Sequence, residues 1–317
     1  MAVLTELGLA DASRVAQAHG LPPVRAIVPI AAGSVNSNFF LDLEDGRRVF
    51  MRIYEEQETD GVAFEWAILR HLQGRAPIPE RLGAVTPGQV RVSGKPVALF
   101  ALAAGTMSCQ AGVTAGRARA VGELLATVHR VGTDLGWRRK SRFDRRALAV
   151  RMGRIPRHGE LGPICNRLEF SFAELDLPAE LPRGLTHGDL FRDNVLWEDE
   201  TLSAAIDWES AAWDVLAYDL AVALLAWCVG DDLDWDLARA MVAGYESVRP
   251  LSDLESGALR DLCRAAALRF TVTRITDFHL RSEDAVGVHK DYRRFLMRLD
   301  RVEAFEPAAF VDRLRSC

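Results

Sequence analysis

The sequence predicts an α+β protein of two lobes, a small β-rich lobe over residues 1–103 and a larger, mostly helical lobe over residues 104–317. Strand-like runs crowd into residues 24–103, and helical periodicity takes over after Gly105. The length of 317 residues exceeds what one hydrophobic core usually serves, since single cores stop growing near ~250–300 residues.

Within the first lobe, VRAIVPI, NSNFFLDL and RRVFMRIY read as strands, and the turn Glu44-Asp45-Gly46 joins the last two as a hairpin. One helix interrupts them at about residues 60–73, where Val62, Trp66, Leu69 and Leu72 recur at helical spacing. FALAAG, residues 100–105, forms the connection between lobes. The second lobe opens with GRARAVGELLATVHRVG, continues through a helical stretch near 163–176, and carries a short strand pair at 194–207. VLAYDLAVALLAWC, DWDLARAMVAGYESV and a long run from about 253 to 281 complete its helices.

Composition removes several function classes. With 49% hydrophobic and 26% charged residues the chain is an ordinary globular sequence. A net charge of −5 argues against a nucleic-acid partner, which normally requires a basic face. The start, MAVLTELGLADAS, lacks a basic region followed by an apolar stretch, so no signal peptide is expected. The longest apolar run, LAVALLAWCVG, is too short for a membrane span, and the expected location is cytoplasmic. Five scattered cysteines without CxxC spacing predict neither a disulfide framework nor a zinc site. Monomer and homodimer remain equally open.

Chemistry concentrates in THGDLFRDNVLW, residues 186–197. His187, Asp189 and Asn194 fit H-x-D-x-x-x-x-N, and Asp207 closes a short apolar strand thirteen residues after Asn194. Phosphoryl transfer from a nucleotide needs a carboxylate that orients and deprotonates the attacking hydroxyl, together with oxygen ligands that hold magnesium against the phosphates. Asp189 is predicted to be the base, and Asn194 and Asp207 the magnesium ligands, so ATP and Mg²⁺ are the expected cofactors. His187 is expected to order the loop, because the position of the base is already filled. A catalytically dead binding module is disfavoured, since it would be expected to have lost one of the three.

These motifs, together with IAAGSVNSNFFL, LSAAIDW, YDLAVALLAWC, GYESVRPLSDLE and AALRFTVTRITDF, resemble the aminoglycoside phosphotransferase and choline kinase group, and within it the type II homoserine kinases most closely. The resemblance implies a protein-kinase-like bilobal fold with ATP between the lobes. It departs at Ile206-Asp207-Trp208-Glu209, which is nearer to the aminoglycoside-type IDWE than to the aromatic-rich IDFYFA run of homoserine kinases.

A second departure lies in RRVFMRIY, which lacks the phosphate-binding lysine of protein kinases. Only Lys95, Lys140 and Lys290 are lysines among 39 basic residues, so cationic roles fall to arginine. Arg52 fills the gap with Glu65 of the following helix as its partner, the alternative being a strand arginine that faces solvent. Ser34 and Asn36 lie in the loop where a kinase covers its phosphates, and Phe100 and Leu102 flank the expected adenine position. His129 and Asp219 are expected to be structural, Asp219 as an anchor for the catalytic loop.

The acceptor is predicted from residues 265–281. On an α-helix Phe270, Arg274, Asp277 and Arg281 share one face. Arg274 suits a carboxylate, while Asp277 or Glu209 suits an ammonium; the alternative is an internal Arg274–Asp277 ion pair. A hydroxy-amino acid carries both groups, and the resemblance points to L-homoserine as the small-molecule acceptor, with a small amino alcohol or an aminoglycoside as runner-up.

Overall fold

The computed structural model describes residues 4–31, 35–280 and 290–315. Its described residues fall into two compact units, one running to Ala104 and the other starting at Gly105.

The first unit holds α1 (Leu9–Ala18), β1 (Val24–Ile30), β2 (Ser37–Leu43), β3 (Arg48–Ile53), α2 (Thr59–Leu72), β4 (Arg91–Val92) and β5 (Lys95–Ala101). The strands form one antiparallel sheet in the order β1-β2-β3-β5-β4. The expected hairpin joins β2 to β3: Leu43 N–H donates to the Arg47 carbonyl, and Asp42 faces Arg48 across the strands at 2.6 Å. Val62, Trp66, Leu69 and Leu72 are all buried on α2, as their spacing predicts. Strand β3 departs from simple alternation. Val49, Met51 and Ile53 are buried, and so is Arg52 between the last two.

The second unit contains β6 (Thr106–Met107), α3 (Ala115–Val131), α4 (Arg145–Met152), α5 (Leu161–Ala173), β7 (Arg183–Thr186), β8 (Val195–Glu198), β9 (Thr201–Ala205) and β10 (Ala212–Val215). Five helices follow: α6 (Leu216–Trp227), α7 (Trp235–Val248), α8 (Asp253–Arg274), α9 (Arg293–Glu303) and α10 (Pro307–Arg315). Short antiparallel pairings, β7 with β10 and β6-β8-β9, hold the loops that matter below. Helix α3 crosses α7 at glycines: a methyl group on Gly122 would lie 2.0 Å from the Met241 carbonyl oxygen, and one on Gly244 2.1 Å from that of Arg119. Only two bare backbones pack this closely.

Every residue of α6 except Tyr218 is buried, which is what an all-apolar helix inside a domain requires. Its ends match the helix dipole. Asp219 sits in the first turn, while Arg192 donates to the Ala226 carbonyl and Arg298 to that of Val229 just beyond the last turn. Ser252 and Glu255 start α8 with a reciprocal capping box. The run expected to stay α-helical to about 281 does not: after Arg274 the chain widens into a π-helical turn, Ile275–His279. Helices α1, α4, α9 and α10 were absent from the sequence-based reading.

Candidate active site

Strand β7 delivers the chain into His187-Gly188-Asp189, and each peptide group there has a partner. The N–H groups of His187 and Gly188 donate to the two carboxylate oxygens of Asp219, each at 2.7 Å. Asp219 is fully buried and lies 3.1 Å from Nε2 of His129, whose Nδ1 is 2.7 Å from the Tyr245 hydroxyl. A carboxylate only accepts, so Nε2 of His129 carries the proton and Nδ1 accepts from Tyr245. Burial alone would raise the Asp219 pKa, but the hydrogen bond from His129, nearby positive charge and the Gly188 N–H hold it below the ordinary aspartate value. Asp219 therefore anchors the loop, and His129 is structural, as the sequence suggests.

Gly188 adopts φ 76°, and a methyl group there would meet the Ser210 carbonyl oxygen at 2.8 Å. Both facts demand glycine. His187 stacks on Trp208 with ring centroids 4.6 Å apart. Its Nε2 lies 3.0 Å from the Ile206 carbonyl, so it is the protonated nitrogen, and Nδ1 accepts from Asp189 N–H at 3.3 Å. The expected loop-ordering role of His187 follows from these contacts.

Asp189 is half-buried. Burial pushes its pKa up; the charges of Arg269 and Lys290 oppose this, and that of Asp207 adds to it, leaving a net rise. Asn194 donates from Nδ2 to the Asp189 carbonyl at 2.8 Å, which commits the amide nitrogen and leaves the amide oxygen as the donor atom suited to a cation. Pairing of β8 with β9, closed by Ile206 N–H on the Asn194 carbonyl at 2.9 Å, brings Asn194 and Asp207 to the same end of one hairpin. Asp207 itself has φ 66° and ψ 63°, a left-handed conformation that is costly for a residue with a side chain. One amide oxygen and one carboxylate form a hard, sparse donor set. Among the described residues no cluster of three or more His, Cys, Asp or Glu could cage a metal alone. That fits magnesium, which keeps most of its shell for water and phosphate.

In the first unit, Arg52 is buried, not facing solvent. Its Nη1 lies 3.8 Å from Glu65, which is also buried, and its Nε donates to Asn38 at 3.4 Å. Asn36 is buried too, and accepts the Glu55 N–H at 3.2 Å through its side-chain oxygen. Ser34 lies outside the described residues. The two residues expected beside adenine separate: Phe100 is buried with its ring 6.1 Å from Phe50, whereas Leu102 is 49% exposed.

The acceptor candidates Arg274 and Asp277 flank the start of the π-helical turn and take different partners, with no ion pair between them. Asp277 pairs with Arg151 of α4 and accepts from Thr276 Oγ1 at 2.9 Å. Arg281 lies outside the described residues. Arg274 instead donates to the Asp291 carbonyl at 2.9 Å and stacks 4.4 Å from the Phe295 ring centroid. Burial lowers its pKa to about 10, against the opposing charge of Asp189. Glu209 is buried, with Arg142 3.8 Å away.

The sequence reading missed Arg269 and Arg142. A signal for Arg269 existed: it is the lone charge in the apolar stretch AALRFTV, and such a charge is buried only with partners.

The sequence matches the phosphotransferase enzyme family over residues 26–251. It is 34% identical to a homoserine kinase of Methylobacterium radiotolerans, covering 94% of this chain and 95% of the relative. It is 32% identical to a homoserine kinase of Xanthobacter autotrophicus, covering 97% and 98%. Among solved structures, an amicoumacin kinase in complex with AMP-PNP, Ca²⁺ and Ami superposes with a TM-score of 0.64 at 14% identity, covering 89% of each chain. That likeness establishes the protein-kinase-like fold.

Proposed function

The chain belongs to the phosphotransferase enzyme family, and on that premise we propose that its hydroxyl acceptor is L-homoserine and its product O-phospho-L-homoserine. It is a small-molecule kinase. The observation that carries the choice of acceptor is Arg274, a half-buried guanidinium held by the Asp291 carbonyl and lying over the Phe295 ring, in a chain whose full-length relatives are named homoserine kinases.

Asp189 takes the proton of the acceptor hydroxyl as its oxygen bonds to the γ-phosphorus of ATP, and the bond from that phosphorus to the bridging oxygen of ADP breaks. Asn194 and Asp207 would hold magnesium, which neutralises phosphate charge when bound. Arg52, kept in place by Glu65, supplies the cation that lysine supplies in protein kinases, and Leu102 offers an apolar surface to adenine. Nucleotide recognition is thereby assigned to the first unit. Arg274 receives the acceptor carboxylate through its planar fork, and Glu209 receives the ammonium, since its Arg142 contact at 3.8 Å is looser than the direct Arg151 pair of Asp277.

A small amino alcohol is the second reading, favoured by the buried Glu209 in the Trp208-Glu209 position, which would bind an ammonium without any carboxylate. Comparing kcat/KM for homoserine with that for 3-aminopropanol, in wild type and in Arg274→Ala, separates the two. Homoserine is expected to be preferred by wild type, and the preference to collapse in the variant. A wild-type preference for the amino alcohol, or an unchanged ratio in the variant, defeats the homoserine assignment.

A further inference from the structure

We infer that Arg269 is a positioning residue for phosphoryl transfer, fixing the peptide that carries Asp189 by donating to the Gly188 carbonyl. The inference rests on the reading of Asp189 as the base and extends it to a residue on α8, far away in sequence.

Asp219 takes the N–H groups of His187 and Gly188, and His187 Nδ1 takes the Asp189 N–H. The Gly188 carbonyl, its direction set by the left-handed Gly188 backbone, accepts from Arg269. Rotation of the Gly188–Asp189 peptide, which would swing the Asp189 side chain, therefore breaks a charge-assisted hydrogen bond.

Burying a guanidinium that is only 3% exposed is expensive, and the surroundings are arranged to offset it. Its central carbon lies 3.9 Å from the Phe143 ring centroid and 4.4 Å from that of Phe270. The faces of these two rings stabilise the buried charge. Its charge opposes the rise that burial causes in the pKa of the Tyr218 hydroxyl. A residue that merely filled this space would not need a charge.

Arg269→Met keeps the stem and removes the donors; Arg269→Lys restores a cation and a donor. Phe143→Leu removes one ring that stabilises the buried charge and leaves the donor in place. For each variant, kcat and the KM for ATP are measured by ADP release with homoserine, beside the thermal midpoint by circular dichroism. Misplacing a reacting group by about 1 Å can cost ~10²-fold in rate, so Arg269→Met is expected to lose about that in kcat with ATP KM within about twofold. Arg269→Lys is expected to recover at least about tenfold of the loss, and Phe143→Leu to lower the midpoint with little change in kcat.

A kcat for Arg269→Met close to wild type overturns the inference. So does a lysine variant no better than methionine, or an Arg269→Met loss that Phe143→Leu reproduces at equal destabilisation. Asp189→Asn is run in parallel. If it remains active, the reading of the base fails; if it is inactive while Arg269→Met is active, only the role of Arg269 fails.

Discussion

Asp189 and Asp219 are the same side chain placed in two opposed settings within one site. Asp219 lies at the first turn of a buried helix and accepts from two backbone N–H groups and a histidine, and its pKa falls below the ordinary value despite burial. Asp189 stands at the end of the loop that Asp219 anchors; desolvation dominates there, and its pKa rises. One carboxylate is committed to holding structure and the other is left able to exchange a proton. Divergent environments for neighbouring carboxyl groups are the physical mark of divided roles.

The contrast breaks most visibly at Asp189. Asp189→Asn retains the shape and removes the base, so kcat is expected to fall by ~10²–10⁴ with the thermal midpoint nearly unchanged. Turnover near wild type would remove Asp189 from the chemistry. Asp219→Ala should act the other way round: it strips partners from two buried N–H groups and from His129, and a loss of ~3–5 kcal/mol in denaturant unfolding is expected. A variant as stable as wild type would show that the loop does not depend on this anchor.

A smaller effect sharpens the same comparison with pH alone. Asp189 must be ionised to accept a proton, and its folded pKa is raised, so kcat should decline on acidification at a pH above the ordinary aspartate value of 3.8. The same raised pKa means that Asp189 favours the folded state only when protonated, a contribution lost as pH rises through that pKa. The folded pKa of Asp219 is depressed. Its stabilisation is present above its unfolded value, near ~3.9, and is lost only as pH falls through the depressed folded value. Activity should therefore disappear on mild acidification while circular dichroism still reports a folded protein, and return on neutralisation. Activity and ellipticity lost together would contradict the opposed directions.

The arrangement of the loop was legible from sequence because it is local: His187, Asp189 and Asn194 lie within one short segment, and Asp207 follows the paired strand. Arg52 was legible only as a choice between two environments, because strand alternation places it on the exposed side and tertiary packing buries it. The separate partners of Arg274 and Asp277 were not legible, since an α-helical period does not hold where the backbone makes a π-helical turn. Arg269 escaped because what gives it meaning, the Gly188 carbonyl and the ring of Phe143, comes from distant parts of the chain. Helix α9 was overlooked although Phe295, Leu299 and Val302 mark its buried stripe, because its arginines masked the pattern.

Asp207 carries a consequence for how this protein can change. Its left-handed backbone imposes a cost of order 1–3 kcal/mol that glycine would largely avoid. Random substitution selected for heat resistance alone would drift toward glycine at 207, gaining a more relaxed backbone while discarding a carboxylate proposed to hold the metal. At the strand end, on the proposed role of Asp207, robustness and chemistry pull against each other.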